Sequence, residues 1–112
     1  MLFRSYHYDA DWNYSGRTIT KPTGIIYEQD SSNRNVQVTY TTGKYTTYMY
    51  NVQGSYDVIT QYNADSSLIC STHYTYDQSN VLTGFERTYP TGEIRYYDAD
   101  RKSTRLNSSH RL

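Results

Sequence analysis

The chain alternates. Val36, Val38 and Tyr40 fall on one side of an extended backbone, with Gln37 and Thr39 on the other. Tyr56, Val58, Thr60 and Tyr62 do the same, and Leu68, Cys70, Thr72, Tyr74 and Tyr76 share one face of a later run. Period two is the mark of a half-buried strand, because successive strand side chains point to opposite faces. Residues 1–99 carry no 3.6-residue periodicity, so the pattern predicts strands and no helix. Turn signals punctuate the runs: Lys21-Pro22-Thr23-Gly24, Thr41-Thr42-Gly43, Asn51-Val52-Gln53-Gly54, Asp65-Ser66-Ser67, Asp77-Gln78-Ser79-Asn80 and Tyr89-Pro90-Thr91-Gly92. Proline presets φ at the second turn position and glycine takes the left-handed fourth, which reverses the chain into a hairpin.

These elements recur as a unit. A marker tyrosine followed by Asp, Glu or Asn precedes a turn glycine by sixteen positions in Tyr8-Asp9 to Gly24, Tyr27-Glu28 to Gly43 and Tyr76-Asp77 to Gly92. Tyr50-Asn51 reaches Ser66 at the same offset, and Tyr96-Tyr97-Asp98 opens a fifth unit. Marker spacings are 19, 23, 26 and 21. In Tyr6-His7-Tyr8, Tyr48-Met49-Tyr50 and Tyr74-Thr75-Tyr76, two rings share a face. The acid or amide that follows each is expected to cap a turn with its own side chain. One hairpin alone is not stable, but hairpins stacked edge to edge share a tyrosine-lined face. The expected fold is therefore all-β: an array of antiparallel β-hairpin repeats in an extended, curved sheet. Its stability is a sum of unit and neighbour terms, and its open edges invite pairing.

Composition sharpens this picture. Leu, Ile, Val and Phe make up 18 of 112 residues, below the level at which many chains stay disordered. Fifteen tyrosines and one tryptophan supply the missing apolar area with a polar handle attached. Residues 100–112 are set apart. Asp100 to His110 resembles one reading frame of a short-read sequencing adapter, so this segment is read as a non-native, disordered extension. It carries four of the eleven basic residues. Residues 1–99 keep seven basic and ten acidic side chains, net −3, which argues against nucleic acid as a partner. No apolar run is long enough for a signal peptide or a membrane-spanning helix. Cys70 stands alone within a strand pattern and reads as a small buried hydrophobe.

Candidate chemistry is sparse. Asp9, Glu28, Asp77 and Asp98 occupy equivalent repeat positions and read as turn caps before they read as calcium ligands, which must converge six or more oxygens. His7 and His73 are expected on the faces opposite the tyrosines. No nucleophile elbow, phosphate loop or His–Cys metal spacing occurs in the sequence, and neither a cofactor nor a metal is expected. Asn13-Tyr14-Ser15 fits the glycosylation pattern. Trp12 and Tyr14 are the candidate ligand platform, since rings with a polar edge suit wet binding faces. The competing reading makes them core residues of a sheet short of aliphatics.

At Tyr8-Asp9-Ala10-Asp11, Tyr50-Asn51-Val52-Gln53-Gly54, Tyr76-Asp77 and the Pro-Thr-Gly turns, the sequence resembles YD repeats of the RHS and teneurin kind, over residues 5–99. The repeat-defining positions are Tyr6, Tyr8, Asp9, Gly24, Tyr27, Glu28, Gly43, Tyr48, Tyr50, Asn51, Gly54, Tyr74, Tyr76, Asp77, Gly92, Tyr97 and Asp98. Of the first-turn glycines of that pattern only Gly54 is present; Trp12 and Ser79-Asn80 replace it elsewhere. Thr88 to Ile94 also looks like MORN-type variants, another hairpin array. The YD resemblance implies an extracellular or cell-surface setting and a role as a few turns of a β-shell. It carries over no catalytic residue, because the self-cleavage signature of bacterial members is absent. The expected function is a structural repeat segment without catalysis, whose partners are neighbouring repeats. The alternative is a carbohydrate or cell-surface binding module using exposed Tyr and Trp.

Overall fold

The computed structural model describes residues 2–98. Its nine strands are β1 (Phe3–Tyr8), β2 (Tyr14–Thr20), β3 (Ile26–Asp30), β4 (Asn35–Thr39), β5 (Tyr45–Tyr50), β6 (Tyr56–Tyr62), β7 (Leu68–Tyr76), β8 (Leu82–Thr88) and β9 (Ile94–Asp98). They lie side by side in chain order in one antiparallel sheet, with no helix among the described residues. The sheet is not closed, and β1 and β9 are its edge strands among the described residues. Each strand touches only its chain neighbours. The hairpin array expected from the alternation is the fold. The reading of residues 100–112 as a non-native extension lies outside the described residues.

All eight connections share one geometry. In each five-residue loop the first N–H donates to the fifth carbonyl, and the fourth N–H donates to the first carbonyl, from Asp9–Asn13 through Tyr89–Glu93. The fourth residue has positive φ throughout: Trp12, Gly24, Asn33, Gly43, Gly54, Ser66, Asn80 and Gly92. This is a type I turn closed by a left-handed bulge residue, a common hairpin connection. The loops differ by end of the sheet. Those after odd-numbered strands are led by Asp9, Asp30, Asn51 and Asp77. Each leading Oδ1 accepts two backbone N–H groups, from the third and fifth loop residues, at 2.8–3.0 Å. Loops at the other end are led by Lys21, Tyr40, Asn63 and Tyr89, whose side chains make no such bonds, and glycine holds the fourth place in three of them.

Two expected caps are corrected. Glu28 lies inside β3, opposite Thr18 and Gln37, and Asp30 leads the turn instead. The second unit has Gln29 where the others have Tyr8, Tyr50 and Tyr76, so Tyr27-Glu28 imitates the motif two positions early. Counted from the true leaders, the first three acid-led turns are spaced by 21 and 21. Asp98 sits in β9 opposite Gly84, with no turn after it among the described residues.

Bulges explain a second difference. Beside every acid-led turn the register slips, leaving Ser15, Val36, Asp57 and Thr83 as extra residues. An extra residue carries neighbouring side chains to opposite faces. Tyr56 therefore leaves Val58, Thr60 and Tyr62: it pairs with Tyr50, while those three face Met49, Thr47 and Tyr45. Likewise Leu68 faces Tyr62, parted from Cys70, Thr72, Tyr74 and Tyr76 by a bulge at Ile69. The slip gathers rings on one face: Tyr56 lies 5.3 Å from Tyr50, 5.8 Å from Tyr48 and 6.4 Å from Tyr74. The row continues through Phe85 to Tyr97, stacked at 4.7 Å.

Ile19, Val38, Thr46, Cys70 and Thr72 are the buried side chains, all on this tyrosine face. Val38, at 3% exposure, is the best covered. No side chain among the described residues is wholly enclosed, because these residues form one sheet and no second layer.

Candidate functional site

The acid-led turns carry the most elaborate polar structure. Tyr50 donates its hydroxyl to the Asn35 carbonyl at 2.6 Å, and Tyr76 donates to the Tyr56 carbonyl. These are the same bond one hairpin apart: the last tyrosine before a turn is tied to the first residue after the previous one. Gln29 holds this position in the second unit and cannot reach as far. It accepts from Arg17 Nε at 2.7 Å and donates to Asn35 Oδ1 at 2.8 Å. Loops also bind each other. Asn80 donates to Ser55 Oγ at 2.8 Å, and Tyr14 donates its hydroxyl to Asn33 Oδ1 at 2.6 Å.

A groove of about 560 Å³ opens at this end of the sheet, where Gln29 replaces a tyrosine. Asn33, Arg34, Asn35, Tyr50, Ser55 and Tyr56 line it. Its size suits a small ligand. Arg34 pairs with Asp30 at 3.0 Å and its guanidinium lies 4.4 Å over the Tyr50 ring. Burial pushes the Asp30 carboxyl up, but N–H donation from Arg34 and Ser32 and the adjacent guanidinium outweigh it and hold the group below its ordinary value. Tyr48, whose ring lies 5.8 Å from that of Tyr56, is pushed up to about 12 by burial and by the neighbouring Tyr40 and Tyr56. The groove can hold a ring against Tyr56 and donate hydrogen bonds from amide, hydroxyl and guanidinium groups.

The two platform candidates take different places. Trp12 is 83% exposed at the fourth position of the first turn, and its ring neighbour is Tyr8, at 6.4 Å. Its φ of 66° is costly for a bulky side chain. Tyr14 is half-buried against Tyr6 and Tyr8, and its hydroxyl points to the groove residue Asn33. Trp12 and Tyr14 meet through Tyr8, whose ring lies 6.4 Å from the one and 6.1 Å from the other. Of the repeat positions, Asp9, Asn51 and Asp77 lead loops, and Gly24, Gly43, Gly54 and Gly92 hold the positive-φ place. Tyr27 faces Ile19 and Val38, with the Lys21 ammonium 4.9 Å over its ring. Tyr48, Tyr50, Tyr74, Tyr76 and Tyr97 belong to the tyrosine face, and Tyr6 and Tyr8 stand exposed on β1.

On the opposite face His7 Nε2 meets Thr18 Oγ1 at 2.8 Å. His73 lies between Asp57, 3.2 Å from Nε2, and Glu86, 3.9 Å from Nδ1. The carboxylates approach opposite ring nitrogens, so the trio does not converge on a common point. No group of three or more His, Cys, Asp or Glu side chains among the described residues is placed to hold a metal ion.

Sequence reasoning missed the groove residues Gln29, Asn33 and Arg34. The signal was there: Asp30-Ser31-Ser32-Asn33 has the spacing of Asp77-Gln78-Ser79-Asn80. No protein-family model matches the chain, and no curated protein matches it.

Proposed function

We propose that the chain is a structural repeat segment of a larger secreted or surface protein of the RHS and YD-repeat kind, acting as scaffold without catalysis of its own. The observation that carries this is the eightfold use of one turn in a single sheet that, among the described residues, has two unpaired edge strands and no second layer. A sheet built this way gains stability from each added neighbour rather than from an enclosed core. The Tyr-to-carbonyl ties between successive acid-led turns fix the spacing of one unit against the next. Its partners on this reading are neighbouring repeats of the parent protein. The test is long-read sequencing of the source locus across the codons for Ala99 and Asp100. Continuation into further Tyr-x-Tyr-acid and Pro-x-Gly units is expected. A genome that encodes Asp100 to Leu112 followed by a stop contradicts the reading.

A second reading, a carbohydrate or cell-surface binding module, draws support from the exposed Trp12 ring and from the groove beside Tyr56. A glycan array separates the two surfaces. Signal lost in Trp12→Ala places binding at the turn tip, and signal lost in Arg34→Gln places it in the groove. An array without signal removes this reading.

A further inference from the structure

We propose that strand β1 is a self-complementary interface at which two copies of this chain pair edge to edge, antiparallel, about a two-fold axis through Tyr6 and perpendicular to the sheet. Asp9 donates its N–H inward, to the Asn13 carbonyl across the first loop. Backbone groups alternate in direction along a strand, so His7, Ser5 and Phe3 also point toward β2. The N–H and C=O groups of Arg4, Tyr6 and Tyr8 therefore point away from the sheet, without a strand partner among the described residues. The inner strands obey the same rule: Lys21 donates to the Ile25 carbonyl toward β3, which leaves Thr20 and Thr18 for β1.

Natural edges are blunted by proline, by charged side chains, lysine above all, or by a bulge, and β1 carries one such charge, Arg4. β1, with sequence Phe-Arg-Ser-Tyr-His-Tyr, has no proline and no lysine. Every residue in it is exposed although three are aromatic: Phe3, Tyr6 and Tyr8 are 63%, 50% and 53% exposed. It also contains no acidic residue.

One register pairs all the outward groups. With Tyr6 opposite the partner's Tyr6, Arg4 lies opposite the partner's Tyr8, and Arg4, Tyr6 and Tyr8 exchange backbone hydrogen bonds with the second copy. The same register places Arg4 on the partner's tyrosine face beside an aromatic ring. That is a contact this sheet already favours: Arg34 lies over Tyr50, and Arg87 over Phe85 and Tyr97. The perpendicular axis keeps both tyrosine faces on the same side, so the row of rings continues across the junction. Head-to-tail pairing does not offer this. Among nine antiparallel strands, β1 and β9 run in the same direction, so joining β9 to the next copy's β1 with the faces aligned gives a parallel pair. The symmetric pair makes a closed dimer instead.

The test uses the full chain in sedimentation equilibrium from about 1 to 200 µM, because a homodimer declares itself by its concentration dependence. The chain is expected to pass from monomer to dimer within that range. Tyr6→Pro removes an N–H that has no strand partner among the described residues, a position at which an edge strand tolerates proline. It is expected to stay monomeric at the highest concentration with an unchanged far-ultraviolet spectrum. Should that variant lose its fold, Tyr6→Lys, which sets two ammonium groups opposite each other on the axis, decides in its place. Register is read by oxidative cross-linking. In a hydrogen-bonded antiparallel pair the opposed Cα atoms are about 5.5 Å apart, within disulfide range. Tyr6→Cys is therefore expected to cross-link to its own copy at least about tenfold faster than Arg4→Cys; the buried Cys70 is common to both. A wild-type chain that is monomeric throughout overturns the proposal. So does a dimer that survives the deciding Tyr6 variant, or cross-linking of Arg4→Cys as fast as that of Tyr6→Cys.

Discussion

Replacing Asp77 by alanine removes the carboxylate that caps its loop, a cap that recurs in four of the eight turns. Asp77 Oδ1 accepts the N–H of Ser79 at 2.8 Å and of Val81 at 3.0 Å. Each bond contributes a net ~0.5–1.5 kcal/mol, and the loop is exposed, so water recovers part of what is lost. The expected cost of Asp77→Ala is about 1–2 kcal/mol, which for a domain of this size lowers Tm by about 5–10 °C. The sheet supplies its own control. Asn51 holds the same position in the third acid-led turn and makes the same two bonds, to Gln53 and Ser55, at 2.9 and 3.0 Å without a charge. Asp77→Asn should therefore stay within about 0.5 kcal/mol of the parent chain. Urea denaturation at neutral pH, with the midpoint moving and the slope constant, reads both variants. If Asn costs as much as Ala, the loop is held by charge and the capping argument fails. If Ala costs nothing, the side chain does not hold the turn at all.

Other consequences follow from the sheet. Val38→Ala strips the best-covered side chain, and a single layer can collapse partly around the gap; a loss of about 1.5–2.5 kcal/mol is expected in the same urea assay. Gly84→Ala places a Cβ 2.5 Å from the Tyr97 carbonyl oxygen, so β9 must shift from β8; amide exchange in residues 94–98 should accelerate while β4 and β5 keep their protection. The Tyr48 hydroxyl, pushed up to about 12 from an ordinary 10, favours the folded state while neutral. That contribution is complete below pH 10 and is lost as pH rises toward 12. With its partial exposure discounted, this contributes about 1 kcal/mol. Urea midpoints at pH 9 and 11.5 should thus fall less in Tyr48→Phe than in the parent. On the acid side the depressed Asp30 carboxyl stabilises above its unfolded value near 4, and this is lost as pH falls through the lower folded value. Arg34→Gln should move that acid limb upward in pH.

The strands and most turns could be read from alternation and turn residues, because period two and Pro-Thr-Gly act locally. What could not be read was non-local. The bulge at Asp57 turns Tyr56 to the tyrosine face, and a bulge is set by pairing across two strands, not by the residue that bulges. Glu28 passed for a cap because Tyr27-Glu28 copies the marker pair; only the hydrogen bonds of Asp30 show where the chain reverses. Phe85 joins the ring row though no repeat motif points to it, because its place depends on Tyr74 and Tyr97 across β7 and β9. The groove at Arg34 depends on what is missing: Gln29 is too short to make the bond that Tyr50 and Tyr76 make. Trp12, a platform candidate by identity, has Tyr8 as its ring neighbour, and Tyr8 in turn meets Tyr14.

The central claim is a one-layer array in which each strand is held only by its two neighbours. Hydrogen exchange at single-amide resolution tests it most directly, in dilute solution at about 1 µM, where the β1 edges are apart. The account predicts graded protection, highest in β4 to β7 and falling strand by strand toward β1 and β9. Equal protection from β1 to β9, lost in a single opening, would show a cooperative enclosed core and contradict it.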